Sequence, residues 1–274
     1  MLWPACVRVH DFAAQLAAAR EAGFSHLAVS GATLRRLAAA GWSPAALRRL
    51  AADEGMALGP WDGFSAWAPE RCDPALPAEA QEIFAASAEE CLEWCAALGL
   101  HAVGATAPFP PGRHPREALV EGFAAFCEQA RPLGVRVDLE FIPFWAVPDL
   151  TAAVEIVSAS GAANAGVLLD SWHFFRGGGD PGELAALPAG RVTAVQLADA
   201  PPAPPVDLWW ECLHGRLPPG EGGLPLDRLR PALAGALDLG VEVFSDALDA
   251  LPAAEAARRA ARGLELFAHE RHRR

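Results

Sequence analysis

The chain contains no lysine and no tyrosine, so all 22 of its basic residues are arginine. The missing lysine excludes Schiff-base catalysis, a lysine general base and the lysine of a phosphate-binding loop. Without tyrosine as well, proton transfer falls to Asp, Glu, His or Cys. Positive charge is scarce. Asp and Glu number 34, the formal net charge is −12, and the one basic stretch is the terminal Arg271, Arg273 and Arg274. Nucleic acid and anionic lipid are therefore not expected as partners, because binding them requires a positive surface that displaces counterions. No apolar run approaches the roughly 18 residues that read as a membrane span. The six cysteines (Cys6, Cys72, Cys91, Cys95, Cys127 and Cys212) show no CxxC pairing, and no charged-then-apolar leader precedes Cys6. Cys91 and Cys95, one helical turn apart, read as small apolar fillers. The expectation is a reduced, cytoplasmic protein.

What is present is enough for one large core, since 52% of the 274 residues are hydrophobic. Short buried strands are expected within 2–9 and at 26–30, 57–60, 102–106, 135–141, 166–170, 192–197 and 241–244. Helical spacing is expected at 11–22, in two pieces over 32–54, and at 79–98, 116–133, 149–160, 181–187, 226–239 and 252–267. The capping signals agree, with Asp11 before the first helix and Ser43-Pro44 opening another. No linker interrupts this alternation, which predicts an α/β fold: a single (β/α)8 TIM barrel as one domain over 1–274. An open doubly wound sheet is the competitor, but no glycine fingerprint follows an early strand.

The stretch 166–179 reads GVLLDSWHFFRGGG. A buried strand ends on Asp170, with His173 and Arg176 at successive three-residue steps. The other later strands repeat the arrangement, ending on Glu140 in VDLEF, Gln196 in VQLAD and Glu242 in VEVF. In a barrel these four ends share one rim, where the chemistry sits. Three carboxylates and an amide would then face one centre, and such clustering is costly unless a cation neutralises it. The all-oxygen set suits Mg²⁺ or Mn²⁺ best, with Co²⁺ and Zn²⁺ also compatible. The competing reading makes Glu140 and Glu242 ordinary strand-end residues, paired with Arg136, Arg176 or Arg216.

Taken together, Glu140, Asp170 with His173, Gln196 with Asp199, Arg216 before Pro219-Gly220-Glu221-Gly222, and Glu242 resemble the xylose-isomerase-like TIM-barrel superfamily. That family includes sugar isomerases, epimerases, inosose dehydratases and 3-dehydroshikimate dehydratases. The resemblance implies a metal held by Glu140, Asp170, Gln196 and Glu242, with His173 and Arg216 contacting substrate. Gln196 departs from many epimerases of the family, which carry histidine there, and is similar to the 3-dehydroshikimate dehydratases.

Such a site would polarise the carbonyl of a polyhydroxy ketone, a sugar or a cyclic polyol ketone, so that an adjacent proton can be removed. The expected activity is that of a divalent-metal-dependent isomerase or epimerase, with Glu140, Glu242 and His173 as acid/base candidates. The alternatives are a dehydratase, which loses a β-hydroxyl from the same intermediate, and a non-catalytic small-molecule binding protein. Arg176, Arg216, His173 and Trp172 are the substrate-contact candidates, though either arginine could instead neutralise Asp199, Glu211 or Glu221. Trp61, Trp67, Trp145, Trp172, Trp209 and Trp210 fall in or beside the expected rim loops, as pocket walls or as a homo-oligomer contact.

Overall fold

The computed structural model describes residues 1–233 and 236–268. Seven strands form one sheet in the order β1 (His26–Val29), β2 (Ala57–Phe64), β3 (Ala102–Ala105), β4 (Arg136–Glu140), β5 (Ala165–Asp170), β6 (Val192–Leu197) and β7 (Asp238–Val241). Sequence order and sheet order coincide, and helices lie between the strands along the chain, the layout of a (β/α) barrel. Two compact units make up the chain. One holds Met1–Leu27, Leu50–Ala57 and the chain from Asp170 onward; the other holds Ala28–Arg49 and Leu58–Leu169.

Within the second unit, β2, β3, β4 and β5 pair in parallel, Phe64 with Ala105, Ala105 with Leu139, and Glu140 with Leu168. β3 (AVGA) is wholly buried and reads as an apolar run, as strands covered on both faces do, whereas β4 (RVDLE) alternates charged and apolar residues. Helix Arg116–Ala130 covers one face, where Phe126 packs on Phe64 with ring centroids 4.4 Å apart. On the other face, a side chain at Gly104 would have to displace Asp62. A Cβ there would lie 2.7 Å from Asp62 Oδ1 and 3.5 Å from Leu168.

Within the first unit, β6 and β7 pair in parallel from Ala194–Asp238 to Leu197–Val241. Leu2 bridges Leu27 and Val241, both in parallel, and the Met1 ammonium donates to Leu239 O at 2.7 Å. The strand expected within 2–9 is thereby reduced to one bridging residue, because Pro4 opens the 3-10 turn Pro4–Val7 immediately afterwards. A proline starts such a turn readily but cannot donate to a strand ladder.

Other boundaries also differ from the sequence expectation. The helix expected at 79–98 is two helices, Ala78–Ile83 and Ala88–Leu98, because Ser87 caps the second by accepting from Glu90 N. The strand expected at 57–60 continues to Phe64, through Asp62 and Gly63. The strand expected at 241–244 lies earlier, at Asp238–Val241, leaving Glu242 one residue past its end. After Glu242 N donates to Leu197 O, the chain leaves β6 and Phe244 O accepts from Arg216 N. Of the helix expected at 226–239, Leu226–Leu229 is a 3-10 turn, Arg230–Leu233 is helical, and 234–235 lie outside the described residues, as do Arg271, Arg273 and Arg274.

Candidate active site

The motif that follows β5 is a helix cap. Asp170 Oδ1 accepts from His173 N at 2.9 Å, so the strand's last side chain starts the helix Ser171–Arg176. Ser171 anchors this turn to the end of β6, its hydroxyl donating to Ala198 O and accepting from Ala198 N. Asp170 is fully buried, and its second oxygen accepts from Arg216 Nη1 at 2.8 Å. Burial alone would raise its pKa, but Arg216 and the capping amide of His173 outweigh it and hold the carboxyl below the usual carboxylate range.

Arg216 organises this side of the site. Its guanidinium is 1% exposed and lies 5.1 Å from the rings of Trp172 and Phe244, where cation–π attraction contributes. Nε donates to Cys212 O at 2.9 Å, and Nη1 reaches Glu242 Oε2 at 3.6 Å as well as Asp170. Burial opposes its charge, but Asp170 and Glu242 raise its pKa overall. Nη2 donates to His173 Nε2 at 3.3 Å. Arginine has no acceptor, so Nε2 carries no proton and the ring is neutral. Burial, helped by Arg216 and opposed by Asp170, lowers the His173 pKa to about 3.

Gln196 and Glu242 complete the donors of the first unit. Gln196 is fully buried on β6 in register with Gly240, and Glu242 two residues beyond Gly240 is 5% exposed. Alternation puts Gln196 and Glu242 on one face. Glu140 belongs to the second unit, where it ends β4 buried beside Leu168 of β5. Arg136 engages Asp138 at 2.7 Å.

Arg176 takes the alternative that the sequence offered, pairing with Glu211. Glu211, 2% exposed, accepts from Trp172 Nε1 at 2.8 Å and from Arg176 Nε at 2.6 Å. Trp172 and Arg176 thus meet a buried carboxylate from the proline-rich segment. Asp199 accepts from the backbone amides of Ala200, Gly220, Gly222 and Leu224 at 2.8–3.1 Å. A Cβ on Gly222 would fall 2.3 Å from Ala200 O, so glycine is required at that turn. Glu221 pairs with Arg259. Of the rim tryptophans, Trp61, Trp67 and Trp172 are buried, Trp145 and Trp209 half-buried, and Trp210 is 51% exposed. No described helix is long and apolar enough to cross a membrane.

Asp170 ends β5 and gathers Arg216 and His173 around it, and in a TIM barrel functional residues sit where the strands end. The chain belongs to the xylose isomerase-like TIM barrel family, whose model matches residues 16–267. It is 34% identical over 138 residues to a 3-dehydroshikimate dehydratase of Pseudomonas aeruginosa, a match covering 49% of this chain and 22% of that protein. It is 32% identical over 148 residues to an inosose isomerase of Halalkalibacterium halodurans, covering 52% of this chain and 51% of that protein. The chain therefore spans about half or less of the curated relatives it matches. Among solved structures, the IOLI protein with a binding zinc atom superposes with a TM-score of 0.82 at 19% identity over 98% of this chain and 97% of that one. At that identity the likeness establishes the fold.

Proposed function

We propose that the chain is a divalent-metal-dependent isomerase or epimerase of a polyhydroxy ketone, with Glu140, Asp170, Gln196 and Glu242 as the metal ligands. The observation that carries this reading is Asp170. It is a fully buried carboxylate at a strand end, kept charged by Arg216, which also reaches Glu242. The donor chemistry fits a hard divalent ion: buried carboxylate oxygens and an amide carbonyl, with lone pairs beyond those that the helix cap and Arg216 use. Such an ion, when bound, supplies Lewis acidity toward a substrate carbonyl.

The chain's own residues then divide the work. Arg216 is buried and fully engaged, and it holds Asp170, Glu242 and the unprotonated Nε2 of His173 in fixed positions. His173, with a pKa lowered to about 3, is a weak base near neutrality. That leaves Glu140 and Glu242 to move the proton next to the carbonyl, one removing it and the other returning it. The substrate is a small sugar or cyclic polyol ketone.

A second reading, dehydration of a 3-dehydroshikimate-like ketone, is favoured by the identity to the Pseudomonas aeruginosa dehydratase and by Gln196. Both chemistries begin with the same proton removal. Incubation with Mn²⁺ in D₂O, with inosose, ketoses and 3-dehydroshikimate as probes, separates them by NMR and ultraviolet absorbance. Deuterium entering beside the carbonyl without loss of water supports isomerisation or epimerisation. A new conjugated absorbance supports dehydration, and no exchange with any probe counts against both.

A further inference from the structure

We infer that Ser65 and Thr106, beside Glu140 within the second unit, form a neutral recognition pair for hydroxyl groups of the substrate; this rests on the proposed function. The pair follows from register. Phe64 lies beside Ala105, and Ala105 beside Leu139, in parallel ladders. One residue further along each strand sets Ser65, Thr106 and Glu140 abreast. Phe64 packs on Phe126 of the covering helix, so alternation turns these three side chains to the face opposite that helix.

Both residues are held by their backbones while their side chains stay uncommitted. Thr106 N donates to Phe64 O at 2.7 Å, Thr106 O accepts from Trp67 Nε1 at 2.8 Å, and Ser65 O accepts from Ala68 N at 3.0 Å. Ser65 is 1% and Thr106 2% exposed, yet neither hydroxyl has a hydrogen-bond partner among the described residues. Buried polar atoms are nearly always satisfied, so two adjacent exceptions beside a proposed catalytic carboxylate call for a ligand. A core built for stability alone would place alanine and valine there.

The chemistry of the pair specifies what it takes. Each hydroxyl both donates and accepts, which matches the hydroxyls of a polyol. Asp62 lies on the same face, since its Oδ1 is 2.7 Å from a Cβ built on Gly104, two residues before Thr106. A carboxylate at that position repels phosphate. The side of the substrate that meets Ser65 and Thr106 is therefore unphosphorylated.

The test is calorimetric titration of Mn²⁺-loaded protein with inosose, D-fructose, D-fructose 6-phosphate and 3-dehydroshikimate, for the wild type and for Ser65→Ala, Thr106→Val and Thr106→Ser. Loss of one hydroxyl should weaken the best neutral probe roughly fivefold to tenfold, as losing one hydrogen bond does. Thr106→Ser should restore binding. Mn²⁺ affinity and melting temperature should hold or rise in Ser65→Ala and Thr106→Val, a combination that a merely structural role would not give. Unchanged probe affinities, a parallel fall in Mn²⁺ affinity, or tighter binding of the phosphate ester than of D-fructose would overturn the pair while leaving the functional reading standing. A wild-type chain that binds no probe would overturn both.

Discussion

At the scale of single residues, the site turns on a buried charge that the sequence could only partly announce. Arg216 is legible as a candidate, but its place between Asp170 and Glu242 depends on partners 46 and 26 residues away. Removing it strands a carboxylate that is fully buried. Arg216→Met should therefore destabilise the metal-free protein by about 3–5 kcal/mol, the usual cost of breaking a buried pair from one side. Denaturant unfolding measures this, and a change under 1 kcal/mol would mean that Asp170 does not depend on the pair. His173 gives a pH signature. Its folded pKa of about 3 lies below the roughly 6.5 of an unfolded histidine. Between those values the unfolded chain binds the extra proton, so its contribution is fully present above pH ~6.5 and is lost as pH falls toward 3. The slope it adds is at most about 1.4 kcal/mol per pH unit. His173→Gln should remove that slope from the stability–pH curve of the metal-free protein, and an unchanged curve would show that the ring titrates normally.

At the scale of elements, the strap that carries Arg216 past β6 depends on Asp199. Four backbone amides converge on its carboxylate, and hydrogen bonds to a charged acceptor are each stronger than neutral ones. Asp199→Ala should cost roughly 2–3 kcal/mol and release the amides of Gly220, Gly222 and Leu224 to fast hydrogen exchange. Retained protection at those three amides would count against this anchoring. The same element shows where sequence reading stops. Strands β3, β5 and β6 are legible because each is a short, mostly apolar buried run. Strand β2 reads too short because Pro60 and Gly63 look like turn residues, while pairing with β3 carries the strand on to Phe64. Ser65 follows one residue past the end of β2, and its place beside Thr106 rests on the bond from Thr106 N to Phe64 O, which no local pattern marks. Glu211 is legible as one possible partner of Arg176, but its bond from Trp172, 39 residues earlier, is not, because nothing local in a proline-rich stretch marks it.

At the scale of the whole molecule, the order of strands along the chain is the order in the sheet, which is why the barrel family could be inferred before any coordinate. The opening strand is the exception, reduced to Leu2 because Pro4 follows so closely. That residues 1–274 make one domain remains a proposal. It predicts that near-ultraviolet and far-ultraviolet circular dichroism melt together in one transition, whereas two separated transitions would mean independent units. The proposed ligands Glu140, Asp170, Gln196 and Glu242 would hold one divalent ion. The most direct measurement is anomalous diffraction from crystals grown with Mn²⁺. A single strong peak bounded by these four side chains, absent from Asp170→Asn crystals, is the expected result. No peak there, or a peak coordinated by other residues, would contradict it.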